Sequence, residues 1–427
     1  VVLITIDTLR ADHALATVVP PGEAGGFSAW VGRGVQFRAA FSSASTTAPA
    51  HTALLTGLYP SFTSVGRVNG DYALVAATET LAERLAAAGV GTAAIVSNAV
   101  LKASLGLGQG FERYDDRMAG REANRPYREQ YAPEAVDKAL ALLAGRGPGP
   151  FFLWLHLQDP HGPYIPPPPW DRVRPLVPGP NLVLPVSPGH IGFRAIPRYQ
   201  EFPGDRSFLG YAARYAGEVA YAGAELERLW GRLGRLVESG QARVVLTADH
   251  GEAMGEDGYY FCHGHSVEPD QVRVPLVLAG PGWEGGRVVE APVTTVSVFR
   301  TVLRFFGLDA PGDGALPPPL DPDGAPEGPL FTESMRQVGV VWRGHYLRRD
   351  RAPATPRPGD QGVVPGERFG PMAGQSCDWT LRGRMLAMLR RFEEEGDRAQ
   401  ARFAAERTAT QRTAEDRKAL KALGYLQ

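Results

Sequence analysis

Two uninterrupted apolar runs constrain this chain more than any other feature. Val1 to Ile6 and Ala242 to Ala248 are rich in β-branched residues and show no polar alternation. Such runs read as strands covered on both faces, the pattern of a mostly parallel sheet lying between helices. Each run ends on an acid: Asp7 after the first, and Asp249-His250-Gly251-Glu252 after the second. The C-terminal ends of strands are where open α/β sheets gather ligands and catalytic groups.

A third stretch, FSSASTTAPAHTALLTGLYP from Phe41 to Pro60, offers a hydroxyl to the same edge. Val35 to Phe41 reads as a strand that runs through Thr47-Ala48-Pro49-Ala50-His51 into a helix over Ala50 to Leu55. Thr47 then falls at or just before the N-cap, where backbone N–H groups are unpaired and attract anions. Taken alone, the segment is a capped helix with proline in its first turn. Taken with the strand ends, Asp7, Thr47, Asp249 and His250 make a metal site. Two carboxylates, an imidazole and a hydroxyl suit one divalent ion of intermediate hardness, which would activate Thr47 as a nucleophile.

Four segments in this order carry a family resemblance: ITIDTLRADH, TAPAHTALLTGLYP, HLQDPHGPYIPP from His156, and TADHGEAMGEDGYYFCHGH from Thr247, with KALGYL at the end. The chain resembles the sulfatase branch of the alkaline phosphatase superfamily. The resemblance implies an α/β three-layer sandwich with a small C-terminal α+β subdomain, and a metal-dependent hydrolase working through a covalent intermediate. His263 resembles the family residue that contacts the transferring group and assists the leaving oxygen. His161 matches another residue near that oxygen, and Asn98, at the end of a strand, either donates to the substrate or is a turn asparagine. His156 reads as a buried imidazole, and His265 as a second ligand or a support.

The departures are chemical. Sulfatases carry a Cys or Ser that is oxidised to formylglycine, in a pattern ending in Arg. Here Thr47 and His51 occupy the two positions, and His51 joins the catalytic candidates. A threonine β-carbon bears a methyl group, so oxidation would yield a ketone and no formylglycine aldehyde. The Thr-x-Pro-x-His pattern resembles the nucleotide pyrophosphatase and phosphodiesterase branch, which points toward phosphate or phosphonate esters. Asp159-Pro160-His161 lacks the four-residue spacing that puts two ligands on one helix face, so one metal is expected. His250 stands where single-metal relatives have Asn, and Thr8 where they often have a second Asp. Fewer hard oxygens favour manganese or zinc, with calcium or magnesium as alternatives.

With 427 residues, 44% of them hydrophobic, the chain can bury a large core. Its net charge of −1 offers no basic footprint for nucleic acid. All but four of the 45 basic residues are arginine, so no single Arg stands out as a phosphate binder. Cys262 and Cys377 are the only cysteines, too few for a disulfide framework. No apolar run reaches membrane-spanning length, and no signal peptide is visible. Val1 already lies inside a strand without an initiator Met, so a removed upstream segment, and an exported or periplasmic protein, is the expectation.

The pattern divides the chain into a catalytic α/β domain over 1–308, linker composition over 309–329 and a small subdomain with a helical tail over 330–427. Helices are expected over Phe27–Gly32, Thr78–Ala88, Pro133–Gly145, Phe208–Val237, Val293–Phe306 and within Thr380–Leu426. Strands are expected over Val90–Val96, Phe151–His156 and Val272–Ala279. The proline-dense stretch 162–205 reads as a lid. The substrate is expected to be a small-molecule, glycan or lipid ester. The rivals are a sulfuric ester hydrolase, a phospho-group transferase acting on an envelope polymer, and an inactive metal-containing binding protein. Nothing in the sequence sets the oligomeric state.

Overall fold

The computed structural model describes residues 1–15, 26–69, 73–121, 128–176, 181–189, 191–309, 316–324, 328–351, 366–372 and 376–404. Eight strands form the main sheet: β1 Val2–Ile6, β2 Val35–Phe37, β3 Gly91–Ile95, β4 Arg113–Asp115, β5 Phe151–Leu157, β6 Val244–Ala248, β7 Leu276–Ala279 and β8 Val288–Val289. Their spatial order is β8-β2-β7-β6-β1-β5-β3-β4. The five strands from β6 to β4 run parallel, and β7 is antiparallel to both its neighbours.

Every residue of β1 and β6 is buried, as an apolar run without alternation requires when both faces are covered. Leu3, Ile4 and Ile6 are fully enclosed. Truncating one such side chain to Ala typically costs about 2–5 kcal/mol. The covering helices are α1 Phe27–Arg33, α2 Thr47–Thr56, α3 Leu81–Ala87, α4 Ala132–Gly145, α5 Phe208–Glu238 and α6 Ser297–Phe305. They form two contacting groups, α1, α4 and α5 in one and α2, α3 and α6 in the other, as a sandwiched sheet needs. Along α5, Tyr211, Tyr215, Val219, Ala222, Leu226, Leu229 and Leu233 are buried at steps of three and four.

Four expected boundaries move. The run Val35–Phe41 splits: Ala40–Phe41 leaves the main sheet for a three-stranded one with Arg273–Val274 and Val293–Thr294. Pro275 has no N–H for the ladder, and it divides Val272–Ala279 between those two sheets. Val293–Thr294 is a strand, and helix begins only at Ser297, because four β-branched residues in a row favour extended backbone. Helix α3 starts at Leu81 because Thr80 and Glu83 close a capping box.

The C-terminal strands β9 Leu330–Glu333, β10 Gln337–Trp342, β11 His345–Asp350 and β12 Glu367–Pro371 form an antiparallel sheet. Helix α7, Thr380–Phe403, packs Leu381, Met385, Leu389 and Phe392 against Val338, Val340, Trp342 and Leu347 of that sheet. The terminal KALGYL lies outside the described residues. Within the linker-like stretch, Leu320 is buried in the main core and its N–H donates to Thr301 Oγ1, so this part is anchored rather than free.

The proline-dense stretch carries only single 3-10 turns among its described residues, at Trp170–Arg172 and Arg198–Gln200. It folds back on the segment before His263: Phe193 bridges Tyr259, and Gln200 Nε2 donates to Phe261 O.

Candidate active site

Backbone register builds the site. Ile6 pairs with Ala248 on one side and with Leu157 on the other, so the residues that follow these strands emerge at one level of the sheet edge. Asp7 and Asp249 therefore stand side by side. Each uses one oxygen for anchoring. Asp7 Oδ2 accepts from Asn98 Nδ2 at 2.7 Å, and Asp249 Oδ1 accepts from the N–H groups of Thr8 (3.2 Å) and His250 (2.8 Å). The turn between them is held by Tyr215 of α5, whose hydroxyl donates to Thr8 O at 2.7 Å and accepts from Arg10 N at 3.0 Å.

The other oxygens, Asp7 Oδ1 and Asp249 Oδ2, are buried without a hydrogen-bond partner. His250 Nε2 lies 3.6 Å from the first and 3.3 Å from the second. Its Nδ1–H donates to Gly251 O at 2.9 Å, which leaves Nε2 of the neutral ring as a lone pair. Burial presses the His250 pKa down to about 3 and raises both carboxyls, Asp249 further because Asp7 faces it. Thr47 Oγ1 completes the group, 3.2 Å from His250 Nε2. Two buried carboxylate oxygens and a nitrogen lone pair converge with nothing positive between them. The ligand atoms of Asp7, Asp249 and His250 all lie within 4.8 Å of one another, so the residues present fit a divalent cation.

Thr47 is the first residue of α2, one step inside the N-cap Thr46. Of the first-turn amides expected to be free there, those beyond Thr47 itself are taken. Ala48 N–H donates to Asn69 Oδ1 at 2.7 Å, Pro49 has none, and Ala50 N–H closes on Thr46 O. Asn98 stands behind Asp7. Its amide donates to Asp7 and its Oδ1 accepts from Val100 N, so it positions the Asp7 carboxylate.

His51 lies fully buried behind Thr47. The Trp154 indole donates to Thr5 Oγ1 at 3.0 Å, leaving the Thr5 proton for His51 Nε2 at 2.9 Å, and His51 Nδ1–H donates to Thr47 O at 2.8 Å. This directed string sets one tautomer. Burial, reinforced by His156, holds the His51 pKa well below its usual value, so the ring stays neutral. His51, His156 and Asp249 also approach one another closely enough for an ion. Both His51 nitrogens are engaged, however, and of the four ring nitrogens only His156 Nε2 lacks a partner.

His263 and His161 face the site from the loops. The His263 ring centroid is 4.5 Å from that of His250 and 5.3 Å from that of His161. His161 Nδ1–H donates to Gly162 O at 2.8 Å, and His263 Nδ1 lies 3.2 Å from Glu252 Oε1. Sequence reasoning misses Glu252, although its place three residues beyond Asp249 is the available signal. It is fully buried, accepts from Tyr164 OH at 2.9 Å, and burial pushes its pKa up to about 8. His265 stacks on Tyr259, and Cys262 packs with Ala253 and Tyr259; among the described residues neither belongs to a cluster of converging ligand atoms. Asp159 Oδ2 accepts from Ala132 N at the start of α4.

Comparison with known proteins bears on the fold and the family. A sulfatase from Formosa agariphila is 28% identical over 170 residues, 38% of this chain and 33% of that one, so the match spans about a third of the relative. Two solved structures share the fold. One, in complex with its substrate D-glucosamine-2-N,6-O-disulfate, has a TM-score of 0.70 at 15% identity, covering 93% of this chain and 98% of that one. The other, a phosphonate monoester hydrolase from Silicibacter pomeroyi, has a TM-score of 0.66 at 18% identity, covering 93% and 95%. Residues 1–308 match the sulfatase family model, and this chain, with its paired strand-end carboxylates, belongs to the sulfatase family.

Proposed function

We propose that the protein is a metal-dependent hydrolase of phosphate or phosphonate esters that forms a covalent intermediate on Thr47. One observation carries the reading: an unmodified threonine hydroxyl stands 3.2 Å from His250 Nε2, beside the orphaned oxygens of Asp7 and Asp249. Asp7, Asp249 and His250, with Thr47 alongside, would hold one divalent ion, manganese or zinc by donor type, whose charge favours the Thr47 alkoxide and the ester's equatorial oxygens.

The chain's own residues do the rest. Thr47 Oγ1 attacks phosphorus in line with the departing oxygen. The string from Trp154 through Thr5 and His51 holds the Thr47 carbonyl, and so the residue's direction of attack. With the Ala48 and Ala50 amides engaged elsewhere and Asn98 turned to Asp7, the side chains that would serve the leaving oxygen are the imidazoles of His263 and His161. Glu252 orients the former. Water then attacks the phospho-threonine with proton transfers reversed, and Thr47 regains its hydrogen.

Sulfate ester cleavage is the second reading, supported by family membership. The formylglycine route is unavailable to a threonine, so this reading needs direct attack at sulfur. A panel of 4-nitrophenyl phosphate mono- and diesters, phosphonates and sulfates, run with metal analysis, separates the two. Phosphorus esters should be cleaved faster, and Thr47→Ala should lower their turnover by at least about a thousandfold while metal content stays near that of the parent. Faster sulfate cleavage reverses the substrate assignment. Product analysis with added glycerol tests for transfer in place of hydrolysis, and full metal occupancy without any turnover would leave a binding protein.

A further inference from the structure

Next to His161 lies a cavity of about 220 Å³ that the hydrolytic reaction does not use. It is smaller than the roughly 300–1,000 Å³ that encloses a whole ligand, so it would take one group of a larger substrate. His161 is the shared wall: it lines this cavity and its ring meets that of His263. The remaining polar lining is Glu129, Gln158, Asp159 and Glu218, with the rings of Tyr131 and Tyr221 at the sides. No Lys or Arg is among the described lining residues.

Gln158 supplies the independent sign of a ligand. It is the first residue after β5, at the edge that carries Asp7 and Asp249, and it is only 2% exposed. Neither its Oε1 nor its Nε2 has a hydrogen-bond partner. An amide buried with both ends unpaired is costly unless something enters to meet it. Its oxygen calls for a donor and its nitrogen for an acceptor. The three carboxyls decide the sign of that donor.

We infer that this cavity is the substrate-recognition pocket of the enzyme and takes the ammonium end of an amino alcohol esterified at the reacting group. In that pose an N–H of the ammonium donates to Gln158 Oε1 and to the carboxylates, while Gln158 Nε2 donates to the neighbouring alcohol or ester oxygen. The Tyr131 and Tyr221 rings wall the cationic group. Asp159 and Glu218 face each other, and burial raises both pKa values, Asp159 to about 6. Without a cation between them the pair resists full ionisation. Glu129, Asp159 and Glu218 do not form a tight cluster of ligand atoms, which favours an organic cation over a second metal ion. The inference rests on the hydrolase reading for its substrate, though the pocket can be tested apart from turnover.

Ligand-observed NMR titration with 2-aminoethanol and glucosamine against ethylene glycol and glucose reads the pocket without catalysis. The amines should bind at least about tenfold more tightly, the worth of one charge-assisted hydrogen bond. The preference should vanish in Gln158→Leu and in Glu129→Gln. Equal or tighter binding of the neutral alcohols, or no amine binding, overturns the proposal, and this comparison needs no variant to fold. In turnover, the aminoethyl diester of 4-nitrophenyl phosphate should be cleaved with a specificity constant at least about tenfold above that of the propyl diester. That ratio should fall toward one in Glu129→Gln; a ratio of one or less in the unmodified enzyme also overturns the pocket. Selective amine binding with neither ester turned over leaves the pocket standing and removes the phosphodiester hydrolase reading instead.

Discussion

His263 Nδ1 lies 3.2 Å from Glu252 Oε1, and the second oxygen of the same carboxyl accepts from Tyr164 OH at 2.9 Å. Glu252 is thus clamped between an imidazole of the site and a tyrosine of the proline-dense stretch. Its removal should release the His263 ring from the orientation that leaves Nε2 on the opposite side. Glu252→Gln keeps the shape and loses the acceptor symmetry, so kcat should fall by about 10–100-fold with bound metal unchanged. Steady-state kinetics with metal analysis checks it; a wild-type kcat would assign Glu252 a structural role only.

Asn98 supports the cation site from behind. Its 2.7 Å bond to Asp7 Oδ2 aims the orphaned Oδ1 at the shared point. Asn98→Ala should weaken metal affinity by about 10–100-fold, read by competition with a chromophoric chelator. An unchanged affinity would place the Asp7 geometry under strand control alone.

The Thr5 hydroxyl links the Trp154 indole to His51. Thr5→Val preserves volume and β-branching while leaving the indole N–H and His51 Nε2 unpaired in a dry interior. The expected cost is about 1–3 kcal/mol per stranded group, seen as a drop of several degrees in Tm. Thr5→Ser, which restores the hydroxyl, should recover most of the lost Tm, and a Thr5→Val protein as stable as the parent would show that the string carries no stability.

Asp159 makes stability depend on pH with a definite sign. Burial lifts its pKa from the ordinary 3.8 to about 6, so the folded protein holds a proton that the unfolded chain releases. Its contribution is fully present below about pH 4 and is lost as pH rises through about 6. Asp159→Asn should therefore raise Tm at pH 7 relative to pH 4, compared with the parent at the same two values. Differential scanning calorimetry at both pH values reads this directly, and an opposite shift would show that Asp159 is ionised and paired in the fold.

What can be read ahead of the structure follows from local pattern. Runs without alternation locate β1, β5 and β6, and a strand end announces its own carboxylate, so Asp7, Thr47, Asp249 and His250 can be named together. The family pattern adds His161 and His263. What escapes is partnership across space. Nothing local says that Asn69, 21 residues away, occupies the amide of Ala48, or that Asn98 turns to Asp7. Glu252 is hidden for the same reason, since its value comes from the loop that returns His263 to it. Pro275 is legible as a ladder breaker, but the apolar run around it masks the break.

The pairing of Ile6 with both Ala248 and Leu157 reaches beyond the placement of two acids. Neighbouring strands keep a spacing of about 4.8 Å that side-chain replacement hardly alters. The separation of Asp7 from Asp249 is therefore ruled by the main chain, like the fixed jaw of a vice. Any change of preferred ion across descendants of this sequence has to come from the adjustable jaw, the residues just past the strands such as Thr8 and His250.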